Sequence, residues 1–178
     1  MNQNLGLIGN MNFIFFSYLL QMENFPCLEG KIPYICEMNM TAKEIYKDIP
    51  AQVDAYKTLE LVKSGYKTSG FIIMLKSLTN ENDQKISDWL SISIKTFRSY
   101  RNTPKKNTRY ALSEHLIMLI SLFKHGKDVF GTTDKFDEWL NKENFFFGKQ
   151  APKEFLNTIS GIKFVDDRLT GMQYGDNA

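Results

Sequence analysis

Apolar residues in this chain recur at helical spacing, and no stretch sustains the strict alternation of a half-buried strand. From Arg109 to Lys127, the residues Leu112, Leu116, Leu119, Ile120 and Phe123 fall three or four apart, which predicts the longest helix. The pattern continues into Val129 and Phe130, and Gly131 stands where a left-handed residue closes a helix. Thr133 and Asp134 are then suited to cap a short helix carrying Trp139 and Leu140. Pro152 marks a further helix start, since its missing N–H costs nothing in a first turn. Ser160 is suited to cap the last helix, whose Ile162, Val165, Leu169 and Met172 share one face.

Upstream, Ser69 is placed to cap an apolar helix from Gly70 to Leu78, and Thr79 to Asp83 is a polar break. Lys85 to Leu90 reads as a short helix with Ile86, Trp89 and Leu90 inward. A tight turn at Ser91 and Ile92 follows, and Ser93 caps a second short helix through Arg101. Asn102, Thr103 and Pro104 stop it, because proline disfavours helix in the residue before it. Two short helices joined this way make a helix-turn-helix. In the second, Ile94 and Phe97 are apolar, whereas Ser93, Lys95, Thr96, Arg98, Ser99 and Arg101 are polar and suited to face out. The expected fold is all-α, a compact helical bundle with its core at Phe71, Leu75, Trp89, Phe97, Leu116, Phe123, Phe130, Trp139, Leu156 and Val165.

The N-terminal stretch is different. Leu5 to Leu20 is apolar and aromatic but interrupted by Asn10 and Asn12, too short and polar for a membrane span. No Lys or Arg precedes Lys31, as a secretory signal would need. Residues 1–50 are read as an N-terminal extension, disordered, whose first forty residues are upstream sequence before a true start at Met38 or Met40. From Thr41 to Leu61, Val53, Tyr56, Leu59 and Leu61 offer contacts either to the next domain or to an oligomer, and the pattern does not decide between them. The expected division is 1–50 extension, 51–110 helix-turn-helix domain and 111–178 C-terminal domain. No Gly/Ser-rich or Pro-rich spacer separates the last two, so they should pack as one unit.

The chain has 178 residues and a net charge of +2, which by itself does not suggest nucleic acid. The distribution does. Residues 85–110 hold seven basic residues against one acid, Asp88, while residues 111–178 hold eight basic against ten acidic. A local basic face is the footprint of a phosphate-binding element. Arg and Lys reach guanine edges or phosphates, and Ser and Thr reach phosphates. Cys27 and Cys36 make no disulfide framework, and with His115 and His125 they show no metal-ligand spacing. An enzyme would need a nucleophile, a base or a metal in one constellation. Two histidines and scattered carboxylates do not supply it, and adjacent Asp166 and Asp167 point to different sides of a helix. No catalytic residue, cofactor or metal is expected.

The C-terminal order of elements resembles the toxin-binding domain of the Xre/MbcA/ParS antitoxins. That family pattern is a helix ending in Val-Phe-Gly, a short helix with Trp-Leu, a Leu-Gly-Gly-x-x-Pro-x-x-Leu-Leu turn, and a closing helix with Gly, Val, Leu and a final Gly. The chain supplies Val129, Phe130, Gly131, Trp139, Leu140, Phe147, Gly148, Pro152, Phe155, Leu156, Gly161, Val165, Leu169 and Gly175. Lys149 stands where a second Gly is usual, and Ala151 where a Ser or Thr usually caps. The stretch Leu90 to Arg101 resembles the helix-turn-helix motif at the front of these antitoxins, with Ser91 in place of the turn Gly.

The resemblance implies a cytoplasmic type II antitoxin that neutralises a RES-domain, NAD-consuming toxin and represses its own operon. Its partners would be that toxin, operator DNA and a second copy or larger assembly, with no membrane. The last helix ends near Gly171 and Gly175, both poor helix formers, so the chain end should be adaptable. The resemblance puts the toxin interface on this domain and sends the tail towards the toxin's nucleotide pocket. Arg168, Met172, Gln173, Tyr174 and Asp176 are the candidate toxin contacts, with Arg168 offering a planar donor fork and Tyr174 an amphipathic ring. The alternative is a stand-alone helix-turn-helix regulator without a toxin.

Overall fold

The computed structural model describes residues 42–103 and 110–175. The expected alternative starts, the Pro104 stop, the basic residues Lys105, Lys106 and Arg109, and Asp176 lie outside them. The described residues are helical throughout, with a single isolated bridge between Asn144 and Gln150 and no strand. The all-α expectation holds.

In chain order the helices are α1 (42–48), α2 (Ala55–Lys63), α3 (Thr68–Leu78), α4 (Asp83–Trp89), α5 (Ile94–Asn102), α6 (Tyr110–Phe130), α7 (Thr133–Asn141) and α8 (Ile159–Gln173). Two 3-10 turns, Phe145–Phe147 and Pro152–Phe155, connect α7 to α8. α6 is the axis. It touches α2 and α3, which precede it, and α7 and α8, which follow it. Residues 115–123 are therefore buried on every side rather than along one stripe, as expected of a helix enclosed by others.

Of the expected core, Phe71, Leu75, Trp89, Phe97, Leu116, Phe123, Leu156 and Val165 are buried. Phe130 and Trp139 are half-buried. Both lean on Phe136, at ring separations of 5.9 and 6.0 Å, so Phe136 and not Trp139 forms the centre of α7's contact.

Three caps differ from expectation by one or two residues. α3 starts at Thr68, because the N–H groups of Gly70 and Phe71 bond to Lys67 O, and Ser69 is buried in the first turn. Thr132, not Thr133 or Asp134, caps α7 by accepting from Lys135 N. Thr158, not Ser160, caps α8 by accepting from Gly161 N. In each of the last two pairs a nearby hydroxyl was equally able to accept, and backbone position decided.

The expected boundary at residue 50 falls inside a packed contact. Ile45 and Ile49, one turn apart, are fully buried. Lys124 Nζ donates to Tyr46 O at 2.7 Å and to Ile49 O, and stands 4.3 Å over the Tyr46 ring. Ser121 Oγ donates to Pro50 O and Ala51 O and accepts from Val53 N. Residues 42–50 thus belong to the same core as the rest.

Candidate functional site

Two surfaces emerge, one on the helices that precede α6 (the front) and one on those that follow it (the back), and Lys85 of α4 meets Glu154 of the Pro152 turn at 3.7 Å between them. At the front, Asn82 Oδ1 caps α4 by accepting from Lys85 N at 2.9 Å. α4 then ends in a Schellman turn: Ile92 N bonds to Ser87 O and Ser91 N to Asp88 O. The left-handed position of that turn is Ser91, at φ 52°. Ser93 Oγ accepts from Thr96 N at 3.1 Å and launches α5, which buries only Phe97.

Of the six residues expected to meet DNA, Ser93, Lys95 and Arg98 are exposed, and Thr96, Ser99 and Arg101 are half-buried. Ser93 and Thr96 also share a hydroxyl–hydroxyl bond at 2.8 Å. Arg101 is committed within the chain, since its Nη1 donates to Asp83 Oδ2 at 2.5 Å. Lys76 pairs with the other oxygen of Asp83, and Arg98 Nε lies 4.0 Å away. Burial pushes the Asp83 carboxyl up, but Lys76 and Arg101 outweigh it and hold the group below the usual carboxylate range. Asp83 was not singled out by sequence; it falls outside the basic segment and is brought to it only by the α4–α5 turn.

At the back, the segment from Asn144 to Gln150 is a closed turn. Asn144 N donates to Gln150 O, Lys149 N to Asn144 O, and Phe146 N to Asn144 Oδ1. Gly148 and Lys149 are both left-handed, at φ 64°. Ala151 precedes the Pro152 turn with no side-chain cap. The turn buries Phe147 and leaves Phe145 and Phe146 outside.

The expected toxin contacts on α8 are not brought together as one exposed set. Tyr174 is 84% exposed and Gln173 is exposed, while Met172 is half-buried. Arg168 is buried, its guanidinium 3.6 Å over the Phe146 ring. Its fork therefore contributes first to packing.

The two histidines are shifted in opposite directions. His115 Nε2 donates to Leu156 O at 2.9 Å, and burial holds this imidazole below the usual range despite the carbonyl and Glu114. His125 Nδ1 donates to Asp166 Oδ1 at 2.7 Å, with Gln52 Nε2 and Gln173 Oε1 near its Nε2. Burial pushes it down, but Asp166 outweighs that and holds it above the usual range. Gln52 Nε2 also donates to Thr170 Oγ1 at 3.0 Å, tying the α1–α2 connection to the last turns of α8. Asp137 on α7 is pushed up to about 6 by burial, with Glu81 and Asp134 adding to the shift.

Among the described residues no group of three or more His, Cys, Asp or Glu is placed to hold a metal ion, and no helix is long and apolar enough to cross a membrane. Residues 125–175 match the family model of the antitoxin Xre/MbcA/ParS C-terminal toxin-binding domain. The C-terminal part of this chain is an Xre/MbcA/ParS-type toxin-binding domain. The match runs from the last turns of α6 through α7, both 3-10 turns and α8. The match supports an antitoxin role and implies a toxin as partner. No curated protein matches the chain. α4 and α5 lie outside the matched stretch.

Proposed function

We propose that the chain binds and neutralises a RES-domain, NAD-consuming toxin, and represses its own operon through α4 and α5 as a homodimer or larger complex in the cytoplasm. The observation that carries the neutralising half is the exposed end of α8 in a matched toxin-binding domain. Tyr174 is a large ring held at the last turn with 84% of its surface open, the kind of side chain enriched in interface hot spots. Gln173 and Met172 precede it, and Asp176 follows it in sequence. Support for the DNA half is the α4–turn–α5 geometry with Ser93, Lys95 and Arg98 open to solvent. α5 offers charge-bearing and hydroxyl groups that suit phosphates and base edges.

The test is co-expression with the RES-type toxin from the neighbouring reading frame. Deleting Tyr174 to Ala178 should restore toxicity while leaving the helical circular dichroism intact. A truncated chain that protects cells as well as the full one places the neutralising contact elsewhere on the domain. A chain that never protects, with no RES-type neighbour, leaves the stand-alone regulator as the reading.

A further inference from the structure

The toxin-binding domain presents a second feature besides its chain end. Phe145 is 82% exposed, and Phe146 and Phe164 are each nearly half exposed. Isolated surface apolar residues need no explanation, but a contiguous group does. Phe145 and Phe146 touch, and Phe164 joins them through Phe147, the next residue of the same turn. Phe145 and Phe146 lie edge to face at 6.1 Å. The Phe146 ring lies under the Arg168 guanidinium, and Arg168 is one helical turn from Phe164 on α8. Phe164 in turn packs on Phe147 and Phe155, at 5.0 and 5.7 Å.

The ledge is also rigid. The Asn144–Gln150 hydrogen bonds close the turn beneath Phe145 and Phe146, and Lys149 holds a left-handed conformation that a side chain disfavours. Rings fixed in advance lose little freedom on binding. Among the described residues the ring contact of Phe145 is with Phe146, itself exposed, so its exposure serves no core.

We propose that Phe145, Phe146 and Phe164 form the surface on which the toxin docks, with the rings entering an apolar cleft of that protein. This rests on the antitoxin reading above. The toxin is the occupant because the whole ledge lies inside the matched toxin-binding domain, whereas the exposed Tyr56, Leu59 and Tyr110 lie outside it. The ledge is also continuous with the chain end: Phe164, Arg168 and Met172 follow one another at intervals of four along α8 towards Tyr174. The tail and the ledge would then contact one partner together, the ledge supplying docking and the tail the block.

The experiment measures capture of the purified neighbouring RES-type toxin by the full-length chain, by calorimetry, with circular dichroism melts of each variant. Phe145→Glu should fold and melt as the parent does and bind the toxin at least about ten-fold more weakly, as an apolar hot spot does when it is given a charge. Phe145→Tyr, which keeps the ring, should bind within about two-fold of the parent. Phe145→Glu binding as tightly as the parent overturns the ledge while leaving the antitoxin reading intact. If Phe145→Glu instead splits a dimer in sedimentation and leaves toxin capture unchanged, a second copy covers the ledge and the proposal fails. A parent chain that captures no toxin overturns the antitoxin reading itself, and the ledge with it.

Discussion

The two sides of α6 use the same backbone device to present opposite chemistry. In front, a left-handed Ser91 ends α4 and delivers α5; behind, a left-handed Lys149 closes the turn that delivers Phe145 and Phe146. These are the only non-glycine residues with positive φ among the described residues, and each costs about 1–2 kcal/mol relative to a right-handed residue. The front face is polar, its cations clustered around Asp83. The back face is aromatic, its one arginine laid over a ring. A carboxylate-centred cluster keeps cations ordered but exchangeable, which suits a polyanion. Fixed rings suit an apolar protein surface. One enclosed helix thus supports a polar face and an aromatic one.

The strongest way to break this comparison is to ask whether the two sides are separate folding units. Gly161 sits in the first turn of α8, where an added Cβ would stand 1.9 Å from Phe155 O and 2.9 Å from Thr158 Oγ1. The first of these is backbone and cannot swing aside. Gly161→Ala should therefore cost about 3 kcal/mol or more and lower the melting temperature by roughly 6–12 °C. Because α6 is shared, the loss should appear as one cooperative transition in calorimetry and circular dichroism. Two transitions, with the front unaffected, would mean that each side folds alone.

The front face is sharpened by separating its two arginines. Arg98 is largely open, whereas Arg101 is already bound to Asp83. Arg98→Ala should weaken operator binding by about 1–3 kcal/mol if it meets a base edge and less if it meets only phosphate. Arg101→Ala should cost less binding than Arg98→Ala, because Arg101 must first leave Asp83. Gel-shift titrations at several salt concentrations distinguish the two. Unchanged affinity and salt slope in both variants would remove α5 as a recognition helix.

Much of this was legible because caps and turns are local. Ser93, Gly131 and Pro152 declared their roles through hydrogen-bond chemistry that needs no distant partner. Family departures at Ser91 and Lys149 pointed to the two strained positions, since only a required left-handed conformation makes glycine usual there. What stayed hidden is long-range. Asp83 meets Arg101 from 18 residues away, and Gln52 meets His125 from 73. The run Phe145 to Phe147 held a signal that hydropathy alone misreads: three consecutive rings in one tight turn cannot all face inward, and two of them face out. Ile45 and Ile49 were likewise obscured by the polar residues between them, although one helical turn aligns them.

The smallest expected effect concerns pH, and it separates the sides by the groups that titrate. In front, Asp83 is held below its ordinary 3.8, so its contribution is present above that value and lost only as pH falls through the lower folded one. It is silent between pH 5 and 7.5. Behind, the two histidines are shifted from 6.5 in opposite directions, so their contributions carry opposite sign. His115 is buried and held below 6.5, so the unfolded chain takes up its proton first and stability falls as pH drops below 6.5. His125, paired with Asp166, is held above 6.5; its stabilisation is complete below 6.5 and lost as pH rises through its folded value. In the parent chain the two responses therefore oppose each other. The single variants should not. His115→Gln should make the chain relatively more stable at pH 5 than at pH 7.5, and His125→Gln relatively less. Asp137, at about 6 against 3.8 in the unfolded chain, loses stability as pH rises between those values, but this is common to parent and variants and cancels in their difference. Urea midpoints at the two pH values read the difference directly. Parallel shifts in both variants would show that the two imidazoles are not shifted in opposite directions, and that the Asp166 contact does not govern how α8 is held against α6.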